Sequence, residues 1–256
     1  KPDLIDDDNK KFVGLELPLK LSNGREGYLL KQASGKQPKS FRFHNFLNEK
    51  EINSLKIELL STFDKMQTGE ELNFPDQSSL CYPYGKLARV PGKYLSNFPA
   101  IVSSFNHPEL YELSDGYFNK PYNKLFQVFF SHEYLAADQT DGSTRNSVLH
   151  VDPYHAFKFM VYLTDCDEDS GAFRYIKGSH IDGRKTREQH DIGDLMGDKY
   201  RLDENPYLSE KYSEDQVVYA SAKAGSLLVF TTDIIHGGGI IKKEGLERLA
   251  IICHNR

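Results

Sequence analysis

The sequence predicts a mainly-β protein whose core is a double-sheet jelly roll with a flanking N-terminal helical layer. Apolar residues at helical spacing occur before about residue 124, and short runs rich in Phe, Tyr, Val and Ile follow. Helices followed by strands are typical of a β core with helices packed on one sheet. The eight short runs suit a jelly roll, in which two sheets enclose a common interior.

The strongest helix signal covers residues 49–65. Asn48 is the predicted N-cap, because Glu51 follows three residues later in a capping-box arrangement. The apolar residues of this helix recur at helical spacing: Ile52, Leu55, Leu59, Leu60 and Phe63. Two shorter helices are predicted at residues 98–106 and 108–118.

The second half of the chain carries the predicted strands and one long polar segment. Strands are expected at residues 125–134, 147–152, 156–164, 172–177, 216–222, 226–231, 234–240 and 247–254. The segment 181–215 is too long for a simple connection, and both a lid or binding loop and a surface insertion stay open for it. We predict a single domain over 1–256, with residues 1–124 packing on a jelly-roll core at 125–256.

Composition excludes several classes of protein. The formal net charge is −5, which gives no basic footprint for nucleic acid. No apolar run approaches the roughly 20 residues of a membrane helix. Three cysteines without a C-x-x-C pair are typical of reduced thiols, so a cytoplasmic location is expected. The sequence carries no prediction of oligomeric state.

A possible metal site is formed by His150, Asp152 and His236. On a strand, residues i and i+2 project to the same face, so His150 and Asp152 can reach one ion. Two imidazoles and one carboxylate hold Fe(II) and leave its other coordination positions open. Arg248 follows His236 by twelve residues, and a guanidinium can bind a dicarboxylate bidentately. This pattern predicts an iron enzyme that uses 2-oxoglutarate and O2.

A second His-x-Asp pair, His180 and Asp182, is the fallback. It lies in a polar, glycine-bearing stretch that predicts a loop, whereas His150 ends a strand-like run. A metal-binding pair needs a rigid element beneath it, so we prefer His150 and Asp152.

Other side chains are candidates for the pocket. Gln127 contacts cosubstrate or substrate if its face of strand 125–134 points inward, and an outward direction stays equally open. Lys158 and Tyr162 share one strand face and are further candidates to line the pocket, and a position facing the surface stays open for both. His155 is expected on the substrate side or in solvent.

Two dense stretches of the chain resemble the phytanoyl-CoA dioxygenase family. They are Leu149-His150-Val151-Asp152 with Gly171-Ala172-Phe173 to Gly178-Ser179-His180, and Ala224-Gly225-Ser226 to Phe230 with His236-Gly237-Gly238 and Arg248-Leu249-Ala250. The resemblance implies a double-stranded β-helix fold with His150, Asp152 and His236 on Fe(II). It also implies Arg248 on the distal carboxylate of 2-oxoglutarate. Leu149, Lys177 and Gly238 depart from the residues that the family often has at those places.

The resemblance implies oxidation of a small-molecule C–H bond, with release of succinate and CO2 and with ascorbate as an aid in vitro. Asp152 favours hydroxylation or another oxidation over halogenation, since related halogenases replace this carboxylate. Arg184, Lys185 and Arg187 leave an anionic substrate open. The alternatives are a non-catalytic jelly-roll ligand-binding module and a cupin-like metal-dependent isomerase or hydrolase. Arg248 argues against both, because neither needs a cationic clamp at that spacing.

Overall fold

The computed structural model describes residues 15–20, 26–31, 40–43, 45–68, 80–82, 85–108, 110–111, 114, 125–135, 147–189 and 200–255. The helices are α1 Glu49–Thr68, α2 Pro99–Phe105, α3 His180–Glu188 and α4 Pro206–Ser209, with 3-10 turns at Gly92–Asn97 and Glu214–Gln216. The strands are β1 Leu15–Lys20, β2 Glu26–Lys31, β3 Ser40–Phe43, β4 Leu80–Tyr82, β5 Gly85–Pro91, β6 Leu125–Tyr134, β7 Phe157–Tyr162, β8 Arg174–Ile176, β9 Val217–Tyr219, β10 Leu227–Thr231, β11 His236–Gly237 and β12 Glu247–Asn255.

The strands form antiparallel sheets that leave an interior between them. A seven-stranded sheet has the order β3-β10-β7-β12-β6-β5-β4, and a three-stranded sheet has the order β11-β8-β9. The hairpin of β1 and β2 forms a further small sheet. The larger sheet is not closed into a barrel. This arrangement confirms the predicted mainly-β jelly roll with helices on the N-terminal side.

Helix α1 begins where the sequence predicts. The backbone N–H of Glu51 donates to Asn48 Oδ1 at 3.0 Å, and that of Asn48 donates to Glu51 Oε2 at 2.8 Å. These two bonds satisfy donors that an uncapped helix would leave unpaired. The apolar face of the helix then buries Leu55, Leu59 and Phe63 against the larger sheet.

Strand β12 shows how the sheet separates two environments. Leu249, Ile251 and Cys253 belong to the core that includes α1 and α2. Ala250, between them in sequence, packs with Phe173 and Phe230 in the core between the two sheets. Because strand residues alternate in direction, the polar residues Arg248 and His254 share the face of Ala250. The interior between the sheets is therefore where this strand places its buried charges.

Two regions differ from the sequence prediction. The expected strand 147–152 is reduced to a single β-bridge residue, His150, which pairs with both Arg201 and His236. The expectation of a loop at His180 is wrong, because residues 180–188 form α3. Helix α3 is stabilised by burial of one face rather than by propensity, and Gly183 makes this close packing possible.

The remaining predicted elements are confirmed, most of them with shorter bounds than predicted. The helix predicted at 98–106 is α2, and the strands predicted from 156 onward correspond to β7 through β12. The helix predicted at 108–118 lies largely outside the described residues, although 108, 110, 111 and 114 are helical. The segment 181–215 contains α3, α4 and a 3-10 turn, so in its described part it is mostly helical rather than an extended loop.

Candidate metal centre

Two separate parts of the chain bring His150 and His236 together. The backbone N–H of each residue donates to the carbonyl oxygen of the other at 2.9 Å. This reciprocal pair is a narrow antiparallel bridge, and it puts the two imidazole ring centroids 4.7 Å apart. Strand β11, which begins at His236, also pairs with β8, so the distal histidine is held from both sides.

Both imidazoles are oriented by backbone carbonyl oxygens. His150 Nδ1 lies 2.7 Å from the oxygen of Val148, and His236 Nδ1 lies 2.8 Å from that of Ile234. A carbonyl can only accept, so each Nδ1 carries the proton and each Nε2 keeps its lone pair. A hydrogen bond from Nδ1 to a backbone carbonyl oxygen fixes the tautomer that binds a metal through Nε2.

Asp152 completes the group. His150 Nε2 lies 3.6 Å from Asp152 Oδ1, and His236 Nε2 lies 3.5 Å from Asp152 Oδ2. One ligand atom from each of the three residues lies within 4.8 Å of the others. Ligands at about 2.0–2.2 Å from one ion lie roughly 3 Å or more from each other, so the three atoms fit a single metal. Two nitrogens and one oxygen on one side are the donor set of non-haem Fe(II) oxygenases.

Lys158 supplies a positive charge beside the candidate metal ligands. Its Nζ lies 2.5 Å from Asp152 Oδ2 and 3.4 Å from His236 Nε2, and the residue is 8% exposed. The Asp152 oxygen has no aligned hydrogen bond within the described residues, so the contact is essentially an ion pair. The ammonium thus lies beside two of the candidate ligand atoms. A cation is electrostatically favoured at this position.

The ionisation states suit metal binding. Burial raises the pKa of Asp152, but Lys158 and His236 outweigh it and hold that pKa well below its ordinary value. Burial, together with the Lys158 charge, lowers the pKa of His236 to about 3. At neutral pH the carboxylate is therefore ionised and the imidazole neutral, as metal coordination requires.

Gln127 faces inward, which resolves the choice that the sequence left open. It is 2% exposed, and its Oε1 accepts from Arg89 Nε at 2.6 Å. Its Nε2 lies 3.2 Å from Tyr154 Oη and 3.1 Å from His254 Nδ1. His254 pairs across the sheet with Lys158, so this polar group adjoins the metal-binding side chains along the same face.

Arg248 lies on the inner wall of the larger sheet, but it has an internal partner. Its Nη2 lies 2.6 Å from Glu133 Oε1 on the neighbouring strand, and its Nη1 donates to the carbonyl oxygen of Gly171. Both ionised residues are almost completely buried. Arg248 Nε and Glu133 Oε2 have no hydrogen-bond partner within the described residues. Burial lowers the pKa of Arg248, yet the Glu133 charge outweighs it and raises that pKa.

The fallback pair does not form a second centre. Asp182 lies on α3 and accepts from Tyr207 at 2.5 Å, Tyr212 at 2.8 Å and Lys211 at 2.9 Å. Residues two apart on a helix project in nearly opposite directions, so His180 and Asp182 cannot share an ion. Among the described residues, only His150, Asp152 and His236 are grouped as metal ligands.

Sequence reasoning missed the partners behind the candidate ligands. Glu133 and Asp233 are not among the residues that the sequence predicts for the site, although both are completely buried. Arg184 and Arg187, which the sequence left open as substrate contacts, are ion-paired with Asp233. His155 is also held there, with Nδ1 2.8 Å from Asp233 Oδ1. The available signal was strand alternation for Glu133, because it lies two residues beyond Ser131 on the face of Gln127.

Fold and site together define a jelly-roll protein with a non-haem iron type of metal centre. The chain belongs to the phytanoyl-CoA dioxygenase (PhyH) family, whose model matches residues 93–245, more than half of its length. This confirms the family that the sequence motifs predicted and the class of Fe(II)- and 2-oxoglutarate-dependent oxygenases. No described helix is long and apolar enough to cross a membrane.

Individual relatives are more distant. The chain is 25% identical over 185 residues to a protein named dioxygenase olcK from Penicillium canescens, covering 63% of this chain and 51% of that protein. The chain thus spans about half the length of this curated relative. Among solved structures it resembles the α-ketoglutarate-dependent carbocyclase SnoK from nogalamycin biosynthesis, with a TM-score of 0.58, 14% identity and coverage of 86% of this chain and 79% of that chain. The epimerase SnoN, in complex with Fe3+, α-ketoglutarate and nogalamycin RO, matches with a TM-score of 0.55, 14% identity and the same coverage. At this identity the two structures support the fold alone.

Proposed function

We propose that this protein is a 2-oxoglutarate-dependent dioxygenase that oxidises a C–H bond of a small molecule, with hydroxylation as the simplest outcome. The observation that carries the proposal is the convergence of His150, Asp152 and His236 at one point between the sheets. The family assignment supports the cofactor pair, Fe(II) and 2-oxoglutarate. Among the distant structural relatives, SnoN contains nogalamycin RO, which is consistent with a small-molecule substrate.

In this proposal His150, Asp152 and His236 hold the metal through two Nε2 atoms and one carboxylate. Bound Fe(II) with 2-oxoglutarate supplies an O2-derived oxidant and releases succinate and CO2. The chain holds the two imidazoles in one tautomer through the Val148 and Ile234 carbonyl oxygens, so that each Nε2 is directed to the metal position. Asp152 occupies a ligand position that halide would need, which favours oxygen transfer over halogenation.

Arg248 is the proposed anchor for the distal carboxylate of 2-oxoglutarate. It is a buried cation on the inner wall, and because its Nε has no hydrogen-bond partner among the described residues, Glu133 does not satisfy the whole guanidinium. An incoming carboxylate can replace the Glu133 carboxylate on Arg248, since both are bidentate acceptors. Like charges repel in a buried site, so Glu133 has to move aside when the cosubstrate binds.

Gln127 is the proposed polar contact for cosubstrate or substrate. Its amide is fixed by Arg89, Tyr154 and His254, which engage both Nε2 hydrogens and leave one lone pair of Oε1 to accept from a ligand. A cytosolic location is part of the same proposal, because the described cysteines Cys166 and Cys253 are buried free thiols.

One observation favours a second candidate, a ligand-binding module without redox chemistry. The Lys158 ammonium already neutralises Asp152 at the proposed metal position. In a protein that binds no metal, this contact would be the permanent state. The two candidates therefore differ in whether a divalent metal displaces Lys158.

The deciding experiment is turnover of 2-oxoglutarate. The protein is supplied with Fe(II), ascorbate, O2 and 2-oxoglutarate, and succinate is measured against His236→Ala and against Asp182→Ala as the matched control. The proposal expects succinate from the wild type and from the control, and none from His236→Ala. Absence of both succinate formation and Fe(II) binding in the wild type would favour the non-catalytic module.

A further inference from the structure

Arg187 on helix α3 joins the two loops that carry the metal ligands. Its Nε donates to the carbonyl oxygen of Asp152 at 3.0 Å, and its Nη2 donates to the carbonyl oxygen of Thr232 at 2.9 Å. Its Nη1 forms an ion pair with Asp233 Oδ1. One guanidinium therefore contacts the backbone of one metal ligand and the turn that leads into His236.

The contacted residues are close to the ligands in sequence. Asp152 is itself a ligand, and Asp233 precedes His236 by three residues. The ring of His236 is oriented by a hydrogen bond to the carbonyl oxygen of Ile234, the residue directly after Asp233. A shift of this turn would consequently move His236 relative to the Asp152 carboxylate.

Resting on the proposed function, we propose that Arg187 is a positioning residue that sets the distance between the Asp152 and His236 halves of the metal centre. A guanidinium suits this role, because its planar fork donates in several fixed directions at once. A lysine at the same place could keep an ion pair with Asp233, but it could not donate to both carbonyl oxygens in the same geometry.

The anchor of this arrangement is the buried carboxylate of Asp233, which is 0% exposed. Arg184 Nη2 lies 2.9 Å from Oδ2, and His155 Nδ1 lies 2.8 Å from Oδ1. Burial raises the pKa of Asp233, but His155 and Arg187 together hold it far below the ordinary value. A buried carboxylate is retained only with such partners, so the turn is fixed as long as the ion pairs persist.

Gly183 allows helix α3 to approach closely enough for these contacts. A Cβ at this position would lie 2.0 Å from the carbonyl oxygen of Asp233 and 3.1 Å from Val151 Cγ2. Any side chain here would push the helix away from both ligand-bearing loops. The glycine and the arginine, four residues apart on one helix, are thus two parts of the same packing contact.

The test compares Arg187→Lys with Arg184→Lys. Both arginines pair with Asp233, but Arg184 does so from a side chain that is 49% exposed, whereas that of Arg187 is 12% exposed and also contacts the Asp152 carbonyl oxygen. Co(II) is the probe, because its visible ligand-field bands report coordination geometry independently of turnover. Loss of a partner behind a metal ligand weakens metal affinity by about 10- to 100-fold. We expect a loss of this size and an altered spectrum at saturating Co(II) for Arg187→Lys, and wild-type values for Arg184→Lys.

Melting temperatures measured without metal separate positioning from folding. Should Arg187→Lys not fold, Gly183→Ala takes its place, since it moves the helix while both arginines remain, and the same weakening is expected. Wild-type affinity and spectrum in the folded variant, or equal losses in both lysine variants, would overturn the role of Arg187. Failure of the wild type itself to bind Co(II) would instead overturn the proposed function.

Discussion

The chain contains two His-x-Asp pairs with opposite outcomes. His150 forms an antiparallel β-bridge with His236, and the Asp152 carboxylate lies 3.5–3.6 Å from two imidazole nitrogens. At His180 and Asp182 the backbone is helical, and the carboxylate accepts from two tyrosines and a lysine on the following segment. The same three-residue pattern contributes to a candidate metal centre in one place and to a structural ion pair in the other.

The difference shows that backbone conformation decides what the pattern can do. Alternation on extended chain turns residues i and i+2 to one side, whereas a rotation of about 100° per residue on a helix separates them by roughly 200°. The two carboxylates also differ in the groups that surround them. Asp152 faces the interior with Lys158 as its cation, while Asp182 joins α3 to α4 and the residues just after it.

The largest expected effect comes from removing the Asp152 carboxylate. Asp152→Ala deletes the one anionic ligand and leaves the Lys158 ammonium to repel a metal ion. Mutation of a residue that only hydrogen-bonds to a metal ligand typically weakens metal affinity by about 10- to 100-fold. Loss of the ligand itself should weaken it by more. Titration calorimetry with Co(II) measures it, and Asp182→Ala is the matched control with unchanged affinity. Similar losses in both variants would remove the distinction between the two pairs.

The next effect is on stability in acid. Although burial raises the pKa of Asp182, Tyr207, Lys211 and Tyr212 lower it from 3.8 to about 2. A lowered pKa stabilises the folded state above the ordinary value of the carboxyl group, and this contribution is lost as pH falls through about 4 to 2. It amounts to roughly 2 kcal/mol.

Asp182→Asn should therefore lower the free energy of unfolding at pH 6, and its difference from wild type should close as pH approaches 2. Urea unfolding at a series of pH values measures this, with Asp203→Asn as a control at a more exposed ion pair. A gap between Asp182→Asn and wild type that stays constant with pH would contradict the assignment of the carboxylate as the source of the stability.

The smallest expected effect concerns Lys158. Because its ammonium has to leave Asp152 before a metal ion takes its place, Lys158→Met should tighten Co(II) binding by about tenfold, or ~1.4 kcal/mol. Lys223→Met, which removes a lysine with an 82% exposed side chain, is the control and should bind as wild type. Unchanged or weaker binding in Lys158→Met would show that the ammonium does not compete with the metal.

Local patterns predicted much of the fold and the ligand set. The capping box at Asn48, strand alternation in β6, β7 and β12, and the His-x-Asp spacing are all encoded within a few residues. Family resemblance then connected His236 and Arg248 to the first pair. The structure confirms that the three candidate ligands converge, and it buries both Gln127 and Lys158 on the interior face.

Nonlocal partners could not be predicted in the same way. The ion pair of Arg248 with Glu133 joins residues 115 positions apart in sequence, and that of Arg187 with Asp233 joins residues 46 apart. The polar composition and the glycine of helix α3 predict a loop. Its burial depends on the close approach at Gly183, which no local periodicity reveals.

The central claim is that one metal ion binds between the two sheets at His150, Asp152 and His236. The most direct measurement is an anaerobic titration of Fe(II) into the protein with and without 2-oxoglutarate, followed by visible absorption. The account predicts one Fe(II) per chain, a charge-transfer band that develops only when 2-oxoglutarate is present, and loss of the band in His236→Ala. A band of full intensity in His236→Ala, or no binding of Fe(II) by the wild type, would contradict it.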